Sequence, residues 1–302
     1  MKNTVKHLAI AISINIVIVV FEAAFGILIG SLALITDALH NLFDVASMAL
    51  SVLGEKIASR ECDFQKTYGY KRAEIIIAFV NGSILLAVVL FILIKSVQRL
   101  FHPGVIKAPH MIFAATVALL GNGLATYVLE RDARRNLNLK SAWLHSLHDA
   151  LFSLGVMVGA VMIHFSGLYI IDPVISIALA VFIIYEAYKL IIEAVNILMD
   201  SVPGDIDFDM VRKDLLRMEG VREVNDLHIW QTGAENRLLT VHLKIDDLSE
   251  AKRIELIHKI QKLALDKYRI HHTTIQTAPL HIVDQYCRHC NLSIEGRDSD
   301  AG

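Results

Sequence analysis

The sequence predicts a polytopic α-helical membrane protein: six transmembrane helices, then a C-terminal α+β domain on the cytoplasmic side. Three observations carry this. The 302 residues are 54% hydrophobic, too apolar for one soluble domain of this length. Six apolar runs are long enough to cross a hydrocarbon core about 30 Å thick. From Met199 onward the chain turns charged and loses those runs. The domain expectation is 1–200 for the membrane part, 201–290 for the α+β part and 291–302 for a disordered tail.

The first run, Leu8–Ile29, carries Asn15 and Glu22 seven residues apart, hence on one helical face. No small-residue cleavage pattern follows it, so it reads as a retained helix. Glu22 is a buried acid with either a structural or a functional role. Gly30-Ser31 predicts a tight turn that leaves helices one and two antiparallel.

Helix two, Leu32–Leu53, is apolar but holds Asp37, His40, Asn41, Asp44, Ser47 and Ser51 at three- and four-residue steps. On a helix these form one polar stripe. A charged side chain at the bilayer centre costs roughly 2.5–3.5 kcal/mol on insertion scales, and such residues mark ion pathways. The structural alternative is a stripe that binds polar groups on other helices for assembly alone.

The loop Glu55–Lys71 is charged. Its Asp63 is a possible ligand, but Lys66 and Tyr70 are poor companions for a metal at neutral pH. Helix three, Ile75–Val97, contains Asn81 and Gly82, expected to serve close packing. His102 and His110 fall in the following linker and read as solvated. Helix four, Met111–Leu129, contains Gly121-Asn122-Gly123, a pattern that allows close helix approach.

Helix five, Ala142–Phe165, opens with a ladder of Ser141, His145, Asp149 and Ser153. Four helical residues advance the chain about 6 Å and return to within about 40° of the same face. His145 and Asp149 can therefore bind one ion, while His148 points elsewhere. The spacing repeats His40-x-x-x-Asp44 in helix two. Helix six, Tyr169–Ile192, begins with Asp172-Pro173. Proline suits a first helical turn and aspartate an N-cap, so a cap on this helix is expected, with ion entry the competing role.

Orientation follows the basic residues. Lys2, Lys6, Lys56, Arg60, Lys66, Lys71, Arg72, Arg131, Arg134, Arg135 and Lys140 share one side; Lys95, Arg99 and Lys107 share the other. The richer side is cytoplasmic, which places both termini there. At that surface, Arg72 and Asp200 are expected to pair and to join the transport helices to the tail domain. Two solvated charges are the alternative.

The tail reads helix (208–218), strand (224–231), strand (237–245), helix (250–268), strand (272–277). In the second strand, Leu239, Val241, Leu243 and Ile245 alternate with Thr240, His242 and Lys244. Such a unit leaves a sheet face or edge for self-association. Three cysteines do not make a disulfide framework. Cys62 is alone, and Cys287 and Cys290 form a C-x-x-C. His242, Cys287 and Cys290 give two alternative expectations: a second, cytoplasmic metal site, or a flexible tail with free thiols. His228, His271, His272, His281 and His289 are nearby in type. There is no glycine-rich phosphate loop, no basic nucleic-acid surface and no H-E-x-x-H, which argues against nucleotide, nucleic-acid and metalloprotease chemistry.

His40, Asp44, His145 and Asp149 together make an N₂O₂ set that suits tetrahedral Zn²⁺. Two carboxylates and two neutral imidazoles carry −2, which a divalent cation cancels. Ligands must lose protons to bind metal, so metal and protons compete for the same atoms. That competition, with alternating exposure, gives metal/proton antiport. A membrane metal sensor without flux is the second reading.

SLALITDALHNLFD in helix two, AWLHSLHDALFS in helix five, Asp172-Pro173 and VNDLHIW in the tail resemble the cation diffusion facilitator family of zinc transporters, over nearly the whole chain. The resemblance implies a homodimer, a ferredoxin-like cytoplasmic domain, Zn²⁺ export against protons with Cd²⁺ as a further cargo, and transport ligands at His40, Asp44, His145 and Asp149. It implies a bacterial inner-membrane type, because the histidine-rich loop of vesicular members is missing between helices four and five. The loop site of some members falls at Asp63, Lys66 and Tyr70 and is expected to be absent. Asn225 and Ala278 stand where metal-loaded tails often have ligands, although Cys287 and Cys290 match the C-x-x-C of some members.

Overall fold

A computed structural model describes residues 2–133, 137–233 and 236–280. Among them the order is α1 (Lys2–Ile29), α2 (Leu32–Ala58), α3 (Arg72–Phe101), α4 (Ala108–Ala133), α5 (Leu137–Ser166), α6 (Ile171–Leu198), α7 (Phe208–Leu216), β1 (Val221–Gln231), β2 (Arg237–Ile245), α8 (Glu250–Tyr268) and β3 (His272–Pro279). Two compact units emerge: 1–54 with 77–192, and 55–76 with 193–302.

In the first unit, large apolar side chains stand exposed along the helices, among them Val17, Leu28, Phe91, Leu120 and Val181. In water such a surface would aggregate; facing lipid it is the expected solvent boundary. α1, α3, α4, α5 and α6 are each long and apolar enough to cross a membrane. α2 has the length, but its polar stripe lowers its hydropathy. Inside, small residues let the helices close. Ala33, Ala114, Ala115 and Ala160 sit in one buried cluster with Leu34, Met111, Val156 and Ile163. A Cβ on Gly121 would fall 2.6 Å from Ile18 Cδ1, and one on Gly159 2.0 Å from Ile175 Cδ1. Gly123 has no such neighbour within 4 Å, so of the predicted glycine pair only Gly121 makes a close approach. α1 ends as expected: Gly30 takes φ +75°, and the amides of Gly30 and Ser31 donate back to the Gly26 carbonyl.

The second unit holds a three-stranded sheet of order β1-β2-β3. β1 and β2 are antiparallel, while β3 returns through α8 to lie parallel to β2. The expected alternation in β2 holds. Leu239, Val241, Leu243 and Ile245 enter a core with Val211 and Leu215 of α7 and Leu256, Ile260 and Ala264 of α8. Thr240, His242 and Lys244 take the half-buried opposite face. α7 starts on Asp207, whose carboxylate accepts the Met210 amide at 3.1 Å. It is shorter than the sequence reading gave, and β1 begins earlier, at Val221. α8 ends on Arg269 in the left-handed region.

Asp214 of α7 ties the two tail helices together. It accepts hydrogen bonds from Lys267 Nζ and, at 2.6 Å, from the Tyr268 hydroxyl. The Lys267 bond, then the Tyr268 bond, hold the Asp214 carboxyl below its ordinary value. A carboxyl depressed in the folded state stabilises above its unfolded value, near about 3.9, and loses that contribution as pH falls through the folded value. Acid titration of Trp230 fluorescence should therefore show a steeper loss in the wild type than in Asp214→Asn. Identical acid limbs would count against the link.

Candidate metal centre

The antiparallel run of α2 and α5 places 37 opposite 153 and 44 opposite 145, so the two H-x-x-x-D ladders meet. His40 Nε2 lies 3.5 Å from Asp44 Oδ2. His145 Nε2 lies 3.5 Å from Asp44 Oδ2 and 3.6 Å from Asp149 Oδ2. His40, Asp44 and Asp149 each offer a ligand atom within 4.8 Å of the others. All four sequence-derived candidates thus converge on one spot.

The electronic character of the spot is that of a cation site. His40 Nδ1, Asp44 Oδ2, His145 Nε2 and both Asp149 oxygens are buried without a hydrogen-bond partner. Buried polar atoms are nearly always satisfied, so five orphans on four adjacent side chains are a strong departure. A four-coordinate N₂O₂ ion, taking one atom from each side chain, would satisfy most of the set. The exposures grade across the site. His145 is 33% exposed and Asp44 23%, while His40 is 12% and Asp149 0%. The more open layer lies toward the end of α2 and the start of α5. Phe152 closes the other flank, its ring 5.6 Å from His40 and in edge contact with Phe182. His148, one step round from Asp149, is exposed, in line with its reading as a decoy.

The rest of the α2 stripe binds three other helices. Asn41 Nδ2 donates to Glu22 Oε2 of α1 at 3.3 Å. Ser153 Oγ of α5 donates to Asp37 Oδ2 at 3.3 Å and accepts from Asn122 Nδ2 of α4 at 3.1 Å. Asn81 of α3 donates to Ser47. The assembly role set against function in the sequence therefore belongs to half the stripe. Thr36 and Ser96 each meet Ser176 of α6 at 2.8 Å, extending the polar contacts into α3 and α6.

Asp172 corrects a sequence expectation. It lies inside the first turn of α6 rather than at its cap. Its carboxylate instead accepts the amides of Leu32 at 2.9 Å and Ala33 at 3.2 Å, and the Ser31 hydroxyl. It caps α2, the helix that carries His40 and Asp44. Arg99 stands 3.8 Å away and also donates to the Gly30 carbonyl. Linear spacing assigns a cap to the nearest helix; this contact spans 140 residues.

The other candidates divide. His242 Nδ1 lies 3.5 Å from Asp226 Oδ2, where a bulge in β1 puts Asp226 at φ 44°. Cys287 and Cys290 fall outside the described residues, as do His281 and His289. Arg72 and Asp200 form a charge-assisted hydrogen bond within the second unit. Both are well exposed, so the pair contributes no more than about 1 kcal/mol. Asp63 accepts the amides of Gln65 and Lys66 and the Tyr70 hydroxyl, 2.7–2.8 Å each, so local bonds occupy its oxygens.

Fold and site define a class first: a multi-span helical transport domain with a buried imidazole–carboxylate cluster, followed by a small α+β domain. Residues 8–199 match the cation efflux transmembrane domain and residues 203–280 the cation efflux protein cytoplasmic domain. The chain belongs to the cation efflux, or cation diffusion facilitator, family; it is a multi-pass membrane transporter rather than an enzyme. It is similar to the zinc transporter ZitB of Yersinia pestis, 36% identical over 90% of this chain and 86% of that one. It is similar to the metal cation efflux system protein CzcD of Cupriavidus metallidurans, 32% identical over 95% and 91%. A cadmium, cobalt and zinc/H(+)-K(+) antiporter of Bacillus velezensis is 32% identical over 85% and 83%.

Proposed function

We propose that the protein exports Zn²⁺ from the cytoplasm in exchange for protons, by alternating access at His40, Asp44, His145 and Asp149. The observation that carries this is the convergence of those four side chains, from two helices, on a spot whose donor atoms lack hydrogen-bond partners. Zinc as cargo is supported by the borderline N₂O₂ donor set and by the zinc-transporting relatives. Proton exchange is supported by ligand competition, since each imidazole and carboxylate must deprotonate to bind, and by the named activity of the Bacillus relative. Placement in a bacterial inner membrane is supported by the family resemblance without a histidine-rich loop between helices four and five, and cytoplasmic termini by the lysine and arginine count. On that orientation the more exposed layer, Asp44 with His145, faces the cytoplasm, as cargo loading requires. The cytoplasmic domain supports a homodimer through its matched family, with 1–200 and 201–290 as the working domains.

The test is zinc uptake into proteoliposomes with an imposed pH gradient. An acidic lumen should accelerate uptake, and an ionophore that collapses the gradient should remove the gain. Uptake indifferent to the gradient would refute proton exchange. Gradient-driven uptake that survives alanine at all four ligand positions would refute the site.

A further inference from the structure

A second buried acidic group lies beyond the metal ligands. Glu22 of α1 is fully buried and Asp37 of α2 is 1% exposed. Asn41, one helical turn from Asp37 on the same face of α2, donates to Glu22, so the two carboxyl groups are neighbours in the buried interior. Each spends one oxygen on a neutral donor: Glu22 Oε2 on Asn41, Asp37 Oδ2 on Ser153. Each keeps its other oxygen, Glu22 Oε1 and Asp37 Oδ1, buried without a partner. Two neighbouring ionised carboxylates repel strongly in a low-dielectric interior, and an isolated pair of negative charges there is costly. One hydrogen between them removes half the charge and gives a donor where two acceptors face each other. Among the described residues no countercharge bonds to the network: α4 and α5 present Asn122 and Ser153. A further charged group acting on Glu22, Asp149 of α5, is itself acidic.

We propose that Glu22 and Asp37 share one proton, forming a proton-binding site separate from the metal ligands and discharged when metal binds. Asp149 belongs to the metal set and acts on Glu22 through space. A divalent cation held at Asp149 therefore repels the shared proton, so metal and proton exclude each other without sharing an atom. This deepens the antiport reading, on which its role in transport rests.

The experiment counts protons released per Zn²⁺ bound by the purified full-length protein, with a pH indicator in weakly buffered solution. Wild type should release about one proton more per metal than Glu22→Gln or Asp37→Asn, in which an amide N–H replaces the shared hydrogen. Zinc binding by the variants reports that they have folded. Equal proton counts in wild type and both variants overturn the proposal. Should neither variant bind zinc, Asp149→Asn decides, because it removes the metal site's own fully buried acid. A protonated-carboxyl band in its infrared spectrum at neutral pH supports the shared proton; a spectrum without one overturns it. Failure of wild-type flux to respond to a pH gradient would sink antiport alone. A gradient-driven wild type with unaltered proton counts in the variants would sink the acid pair alone.

Discussion

Replacing His40 with alanine should lower zinc flux in proteoliposomes about a hundredfold or more, since even outer-shell changes at metal sites cost 10- to 100-fold. The effect is large because His40 belongs to the closed layer of the site, beside the fully buried Asp149. Without its imidazole the ion loses one of four donors, and two carboxylates remain with a single nitrogen partner. Water can stand in more readily on the open side, beside His145, than against Phe152. His148→Ala is the matched control: an exposed imidazole three residues from His145, expected to leave flux within about twofold, as surface changes usually do. The proposed dimer should survive both substitutions, as size-exclusion chromatography can show. Comparable flux in wild type and His40→Ala would mean the ion passes elsewhere.

The second large effect belongs to Asp172. Its side chain is fully buried, caps two amides of α2 and faces Arg99. Asp172→Ala leaves those amides and the Ser31 hydroxyl without their acceptor, and leaves Arg99 without its countercharge. Breaking a buried pair by removing one partner costs 3–5 kcal/mol; with Arg99 partly exposed, about 3 kcal/mol is expected. Asp172→Asn retains an acceptor oxygen and should lose less. Thermal unfolding in detergent would rank wild type above Asn above Ala. The alanine protein should also lose transport, because the start of α2 sets the height of His40 and Asp44. An Asp172→Ala protein as stable and as active as wild type would return this residue to a role confined to α6.

The proposed transport ligands were legible in sequence because they obey a local rule. His40 with Asp44, and His145 with Asp149, are each four apart on a helix, so one turn aligns them without help from the rest of the fold. The repetition of that spacing in two apolar segments pointed to a shared ion. The β2 alternation was legible for the same reason, as a period of two against one core. Helix ends were less so, since α7 closes and β1 opens where tertiary bonds decide. Glu22 was visible as a buried acid seven residues from Asn15, but its partner was not. Asp37 meets it only because the Gly30-Ser31 turn folds α2 back along α1. Asp172 misled for the opposite reason: a good local cap was available, and the fold used the carboxylate on a distant helix.

By itself, then, the sequence determined which segments enter the membrane, which side chains within a helix share a face, and which chemistry those faces offer. Helical and strand periodicity are properties of the backbone, so they need no knowledge of neighbours. The tertiary structure alone decided how the polar stripe of α2 is divided: His40 and Asp44 toward α5, Asn41 and Asp37 toward Glu22 and Ser153, Ser47 toward Asn81. A polar group in an apolar interior takes whichever partner packing brings within about 3 Å. That choice depends on how helices cross rather than on residue order.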